Sequence, residues 1–408
     1  MARHSPGRSR IVILGWYGSN NTGDEALLQV IVEALRERGL DDIVVLSTKP
    51  DKTSARLSVA STTRSLFSIK TFRALHGANA LILGGGGLMQ DGTSVYNLPI
   101  YAAYVALARL LGLKVIGWGL GAEPLWTLLG RWLVRFIIHS SDHFSLRDHL
   151  SKQLLVKAGV SPGRIEVTAD PAMLLNPEPV ETGLPDDGRP VVIFCIRHLP
   201  AIQPGFRLHY LMPVSLRHRL GAEWKLEPGR VEGLVESLAR GIKVAVQELG
   251  ARVVLLPLWP GRDDEMLDIV EQAALELGVA GDQISRAEVE HTPGRFSGYV
   301  GKADLLVSMR LHALIFASVQ GVPMIALSYA RKVRGLMREL GFERWVVEVE
   351  TRTPPPKELE MKMRQLWQMR DQESARLKRA GQTKRAIARA DADKIAHLLT
   401  AQTKSKKC

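Results

Sequence analysis

The chain has 408 residues, 46% of them hydrophobic and 24% charged, which is the make-up of a soluble globular protein with room for two cores. No run of 18 uncharged apolar residues occurs, and the apolar region 95–138 is broken by Arg109, Lys114, Glu123, Arg131 and Arg135, which argues against a membrane-spanning helix. The net charge of +12 is concentrated in residues 351–408, where 15 Lys/Arg face 6 Asp/Glu, so the basicity belongs to the tail and is poor ground for expecting a nucleic-acid partner.

The basic start MARHSPGRSR leads straight into the strand-like Ile11–Leu14, with no signal-peptide apolar region. Two cysteines, Cys195 in an apolar run and Cys408 at the end, make no disulfide framework, so the cytoplasm is the expected compartment. Further strands are predicted at Ile43–Leu46, Ala80–Leu83, Lys114–Trp118, His143–Leu146 and Ile165–Val167. Helices are predicted between them, at Asp24–Arg38, Leu98–Leu111 and His149–Ala158. Strand alternating with helix predicts a parallel sheet covered on both faces.

Residues 177–190, with four prolines and two glycines, read as a linker. A second alternating set follows: strands at Val191–Ile196, Ala251–Pro257, Leu305–Ser308 and Met324–Leu327, with helices near Val231–Leu249, Asp264–Leu277 and Ala313–Val319. The expected architecture is therefore two doubly wound, Rossmann-like α/β domains at 1–180 and 190–345. A helical segment at 355–400 is expected to pack back on the first domain, ahead of a basic tail at 401–408. Residues 197–228 form a connection of unusual length, rich in Arg, His and Pro, of a kind that in compact domains is a lid, a binding loop or disordered.

Open α/β sheets bind ligands beyond the carboxyl ends of their strands. At those ends the first half places glycines: Gly15, Gly18 and Gly23 before Asp24, then Gly84, Gly85, Gly86 and Gly87, then Gly119 and Gly121. The spacing is neither GxGxxG nor GxxxxGKS, so no dinucleotide site or P-loop is expected. The second half places cations: Arg310 and His312 after one strand, Lys332 after the next; Arg147 follows a strand of the first half. Each has an ordinary alternative. Asp24 could be a helix-start acid, Arg147 could pair with Asp148, and His312 could be a core histidine. Taken together, the cations at successive strand ends predict a convergent site for a small anion carrying phosphate and carboxylate. There is no HExxH, CxxC pair or Gly-x-Ser-x-Gly, and the Asp263-Asp264 doublet reads as helix-start acids, so no metal site is expected.

The stretches GWYGSNNTGDEAL, LILGGGGLMQD, GWGLGAEPL, SLRDHLS, TADPAML and SMRLHALIFASVQGVPMIALSYARKVRG, spread over residues 11–340, resemble the polysaccharide pyruvyl transferase family. The resemblance implies a GT-B-like fold with a cleft between two domains. It also implies transfer of pyruvate from phosphoenolpyruvate to two hydroxyls of a sugar, giving a cyclic ketal in a wall polymer or exopolysaccharide precursor. Arg147, Arg310, Leu311, His312 and Lys332 would form the donor site. His312 is the expected proton donor, Asp24 a base for the sugar hydroxyl, and the glycine turns would shape the acceptor side. No cofactor or metal is expected, because the fixed cations neutralise the donor. The runner-up is a GT-B glycosyltransferase using a nucleotide-sugar. Residues 124–138, with Leu125, Leu128, Trp132 and Phe136 at helical spacing beside Arg131 and Arg135, read either as a core helix or as an interfacial strip. With the basic tail, such a strip would seat the protein on an anionic membrane, where a polyprenyl-linked acceptor would lie.

Overall fold

The structure is a computed structural model, and it describes residues 10–92, 94–197, 228–287, 292–350 and 354–401. Short apolar runs separated by helices give two sheets in which every strand pair is parallel. The first contains β1 (Ile11–Leu14), β2 (Ile43–Ser47), β3 (Ala60–Thr63), β4 (Ala80–Met89), β5 (Lys114–Ala122), β6 (His143–Leu146) and β7 (Glu166–Val167), in the order β3-β2-β1-β4-β5-β6-β7. The second contains β8 (Val191–Cys195), β9 (Arg252–Leu255), β10 (Ile284–Arg286), β11 (Leu305–Ser308), β12 (Met324–Ser328) and β13 (Val346–Glu348), in the order β10-β9-β8-β11-β12-β13. Both are doubly wound, and each reverses its strand order beside its first strand, at β1/β4 and at β8/β11, where such folds bind ligands.

The alternation of side chains along β1 sorts the first domain into two cores. Ile11 and Ile13 pack toward α1 (Thr22–Arg36), whereas Val12 and Leu14 pack toward α3 (Ile69–His76), α4 (Asn97–Leu110) and α5 (Leu128–His139). Two shorter helices, α2 (Pro50–Leu57) and α6 (His149–Lys157), complete the set. In the second domain, α7 (Pro228–Gln247), α8 (Asp264–Glu276), α9 (Pro293–Val300), α10 (Leu311–Gln320) and α11 (Arg331–Leu340) surround a single large core.

The four-glycine run departs from expectation. The strand does not stop at Leu83; β4 continues through Gly84–Gly87 to Met89, and its pairing with β5 shifts register between Gly86 and Met89. Gly85 and Gly86 have φ of 57° and 82°, which side chains rarely adopt. The edge strands β3, β10 and β13, only three or four residues long, go beyond the strands expected from the sequence.

The C-terminal segment is shared between the domains. Its first helix, α12 (Pro356–Gln368), packs on α7. Its second, α13 (Arg370–Thr400), puts Leu377 and Ala388 into the second core and Ala392, Ile395, Ala396 and Leu399 into the first. Asp391 anchors it, buried and accepting hydrogen bonds from Ser145 (2.7 Å) and Thr168 (3.0 Å), with His143 Nε2 at 3.1 Å. The long connection noted at 197–228 lies outside the described residues except at its two ends, and the tail beyond Ala401 does too.

Candidate active site

Seven chain segments converge between the domains. From the first domain come the start of α1, the glycine portion of β4, the end of β5, the end of β6, and the loop at Asp170. From the second come the turns β11–α10 and β12–α11. A backbone hydrogen bond from Thr22 N to Leu258 O, 3.3 Å, ties the start of α1 to the second domain.

The Arg-Leu-His sequence occupies the start of α10. Arg310 is its N-cap residue in extended conformation, and Leu311 and His312 form the first turn. His312 therefore projects from a helix N-terminus across the domain boundary, where its ring lies against Gly23; a Cβ at Gly23 would collide with Nδ1. His312 Nε2 is buried and has no protein hydrogen-bond partner. Burial, opposed by Asp170 but reinforced by Arg147, Lys332 and Arg310, lowers the imidazole pKa to about 4. With that value His312 is neutral near pH 7.

Asp24 sits in the first turn of α1 and accepts a hydrogen bond from Asn21 Nδ2 at 2.7 Å. Burial and the neighbouring Glu25 raise its pKa to about 7, even though Lys332, Arg147 and Arg310 pull it down. It is a first-turn acid of α1 that also feels all three expected donor-site cations. Of the four glycines, Gly84 and Gly85 are covered by Tyr17, Ile31 and Leu27. Gly86 borders Asp24, and Gly87 faces open space. Of the four, Gly86 is the one set against a candidate site residue.

The cations are held differently from expectation. Arg147 is 8% exposed and pairs chiefly with Asp170 (3.0 Å), while Asp148, 3.8 Å away, spends its oxygens capping α6 through Ser151. Its guanidinium lies over Gly121, where a Cβ would come within 2.7 Å of Nη2. Its Nε is buried and makes no hydrogen bond, its nearest acid oxygen being that of Asp148 at 3.8 Å. Arg310, 6% exposed, is not a free cation: Nε and Nη2 form a bidentate pair with Asp263. Asp263 also accepts from the amides of Leu258 (3.2 Å) and Trp259 (2.9 Å), so the residue read as a helix-start acid is the buried counter-ion of the site. A guanidinium has five N–H donors, and this pair leaves Nη1 of Arg310 uncommitted to Asp263.

Lys332, in the first turn of α11, has no carboxylate within ion-pair distance among the described residues; its Nζ lies 5.4 Å from the Tyr329 ring centre. Although burial pushes the Tyr329 phenol up, Arg197, Lys332 and Arg310 outweigh it and bring the pKa down to about 8. Arg197 donates to the Tyr329 hydroxyl at 2.8 Å. Glu123, at the end of β5, has a buried, unpartnered Oε1, and burial raises its pKa against the pull of Lys332 and Arg147. Arg147, Asp170, Leu311 and Lys332 line one small cavity here, with Leu336 and Ile315 as its apolar side. Among the described residues, no group of three or more His, Cys, Asp or Glu is arranged to hold a metal ion.

Sequence reasoning missed Asp170, Asp263, Glu123, Tyr329 and Arg197 as members of the site. Asp170 and Glu123 do stand in the quoted stretches TADPAML and GWGLGAEPL. Asp263 carries no signal of its own, because its partner is 47 residues away.

Two winding sheets with a polar cleft between them define the GT-B class of α/β proteins, and solved structures agree. The chain superposes on a glycosyltransferase from Rickettsia africae with a TM-score of 0.59 at 8% identity, covering 97% of this chain and 99% of that one. A UDP-GlcNAc 2-epimerase from Neisseria meningitidis, bound to UDP-GlcNAc, gives 0.57 at 8% identity over 96% and 99%. The Anabaena protein HepE, in complex with UDP, gives 0.58 at 12% identity over 96% and 100%. At these identities the likeness is one of fold. The polysaccharide pyruvyl transferase family model matches residues 21–331, most of the chain and the cleft segments named above from the start of α1 to the turn before Lys332. The protein belongs to the polysaccharide pyruvyl transferase family.

Proposed function

We propose that the cleft binds phosphoenolpyruvate and transfers its pyruvyl group to two hydroxyls of one sugar, within a wall polymer or exopolysaccharide precursor. The observation that carries this reading is the gathering of Arg147, Arg310 and Lys332 around the buried His312 and Asp24. His312 Nε2 is buried there with no hydrogen bond to the protein, and buried polar groups are seldom left so. A compact anion with carboxylate and phosphate oxygens supplies acceptors for the arginine and lysine donors. The first-turn amides of α10 and α11 add positive potential.

Chemistry follows from these placements. A first sugar hydroxyl adds to C2 of the donor while its proton passes to Asp24 and C3 receives a proton from His312. The C2–O bond to phosphate then breaks, the second hydroxyl attacks C2, and its proton leaves with the phosphate. Arg147, Arg310 and Lys332 hold the departing charge. With its pKa lowered to about 4, His312 acquires its proton together with the donor, whose negative charge offsets the three surrounding cations.

Three expectations test the reading. Incubating the protein with phosphoenolpyruvate and a panel of sugars should give one product heavier by a pyruvyl ketal, with activity surviving dialysis against a strong chelator. Product formed only from nucleotide-sugars would select the glycosyltransferase reading instead. Lys332→Ala should weaken donor binding by about 1.5–3 kcal/mol, the usual worth of a hydrogen bond to a charged group; calorimetry showing unchanged affinity would remove Lys332 from the donor site. Gly23→Ala, whose new methyl must displace the His312 ring or the start of α1, should lower kcat on the order of 10²-fold. Unchanged kcat would show that the ring's position is not critical.

A further inference from the structure

The helices on the face of the first sheet opposite α13 carry an unusual load of exposed apolar groups. In the segment that opens α3, Phe67 is 98% exposed and Ile69 60%, with Phe72 beyond them at 40%. At the start of α4, Tyr96 and Ile100 are more than two-fifths exposed. At the start of α5, Leu128 is 81% exposed, and Trp126, Leu129 and Trp132 are exposed as well. These nine are the majority of the 15 large exposed apolar side chains among the described residues, and all belong to three helix-opening segments.

The three segments form one surface. Tyr104 of α4 donates to Arg64 O at 3.0 Å, joining α4 to the approach to α3. Asp91, after β4, accepts from the amides of Trp126 and Thr127 at 2.8 and 2.9 Å, joining the approach to α4 to the start of α5. Each segment opens at the carboxyl edge of the sheet, the edge at which Gly86 borders Asp24 and at which Glu123 lies. The surface therefore borders the active site.

Its charge is of one sign. Residues 64–76, 94–110 and 124–139 contain six Lys or Arg and no Asp or Glu. Lys70, Arg73, Arg131 and Arg135 are exposed and have no carboxylate partner among the described residues. Aromatic and aliphatic side chains interleaved with unpaired cations, without acids, complement the headgroup layer of an anionic bilayer. A protein partner would more commonly be met with charges of both signs.

We infer that this α3–α4–α5 face rests on an anionic lipid surface and brings the cleft to sugar acceptors tethered to lipid. The acceptor part of this inference rests on the pyruvyl-transfer reading of the cleft; the lipid part does not. The basic helix α13, which had suggested a membrane role for the tail, covers the other side of the sheet and does not extend this surface. No helix among the described residues is long and apolar enough to cross a membrane, so the contact is peripheral.

The test is flotation of the full chain with extruded vesicles, without substrate. Wild type should float with vesicles of about one part phosphatidylglycerol to two of phosphatidylcholine, lose them as salt rises, and ignore pure phosphatidylcholine. The variant Leu128→Ser/Leu129→Ser/Trp132→Ser and the variant Lys70→Glu/Arg73→Glu/Arg131→Glu should each float at least about tenfold less. Both should retain wild-type melting and pyruvyl transfer to a soluble sugar. Wild type that stays unbound at low salt, or variants that float like wild type, would overturn the inference. A wild-type dimer that the serine variant converts to monomer, with no vesicle binding, would assign the face to a second copy and overturn it too. Loss of transfer in every protein while flotation persists would instead indict the reading of the cleft.

Discussion

His312→Gln is expected to lower kcat by about 10²–10⁴, the usual worth of a general acid, while leaving phosphoenolpyruvate affinity near that of wild type. In the proposed reading Arg147, Arg310 and Lys332 hold the charge on the donor, so the imidazole matters in the transition state and little in the ground state. A second readout is independent of turnover. The free imidazole has its pKa lowered to about 4, first by burial. An anion bound beside it raises that value, so between the free and bound values binding takes up a proton and affinity rises as pH falls. The gain stops near pH 4, where the free imidazole is already charged. Calorimetry in buffers of different ionisation heat should therefore show up to one more proton taken up by wild type than by His312→Gln. Equal uptake, or a variant that retains more than about a tenth of wild-type kcat, would take the acid role from His312.

Asp263→Ala is expected to destabilise the fold by about 3–5 kcal/mol, because it leaves the buried Arg310 guanidinium without a counter-ion. It also strands the amides of Leu258 and Trp259, which donate to the same carboxylate. Asp263→Asn should lie between, since it restores acceptors but not charge. The double variant Arg310→Ala/Asp263→Ala should be more stable than Asp263→Ala alone, since no uncompensated charge remains. Denaturant titrations of the four proteins decide the matter. A loss below about 1 kcal/mol in Asp263→Ala would show that Arg310 is solvated or finds another partner.

What the sequence disclosed follows a physical divide. The strands that build both cores, such as Ile11–Leu14 and Leu305–Ser308, are apolar on both faces and stand out from their surroundings. The edge strand β3, ASTT, has no fully buried residue and no such contrast. Arg310, His312 and Lys332 were conspicuous because charged groups at the ends of apolar runs need an explanation. Asp263 and Asp170, which hold the two arginines, were not, because acids are ordinary at helix starts and nothing local to either marks its long-range partner. The glycines misled for a related reason. Their sequence announces backbone freedom, but whether that freedom ends a strand or bends it depends on the pairing with β5, which lies some 30 residues further along the chain.

The sharing of α13 between two cores bears on how the chain reaches its native state during synthesis. The first sheet is complete by Val167, yet its α1-side core lacks Ala392, Ile395, Ala396 and Leu399 until the far end of the chain has been made. At the usual pace of a ribosome, ~5–20 residues per second, that face waits on the order of ten seconds or more with its apolar strip uncovered. Asp391 must then enter between His143, Ser145 and Thr168 to close it. The second domain waits for the same helix, because α13 also supplies Leu377 and Ala388 to its core. A nascent chain stalled before residue 370 would present two domains, each still short of the helix that completes its core.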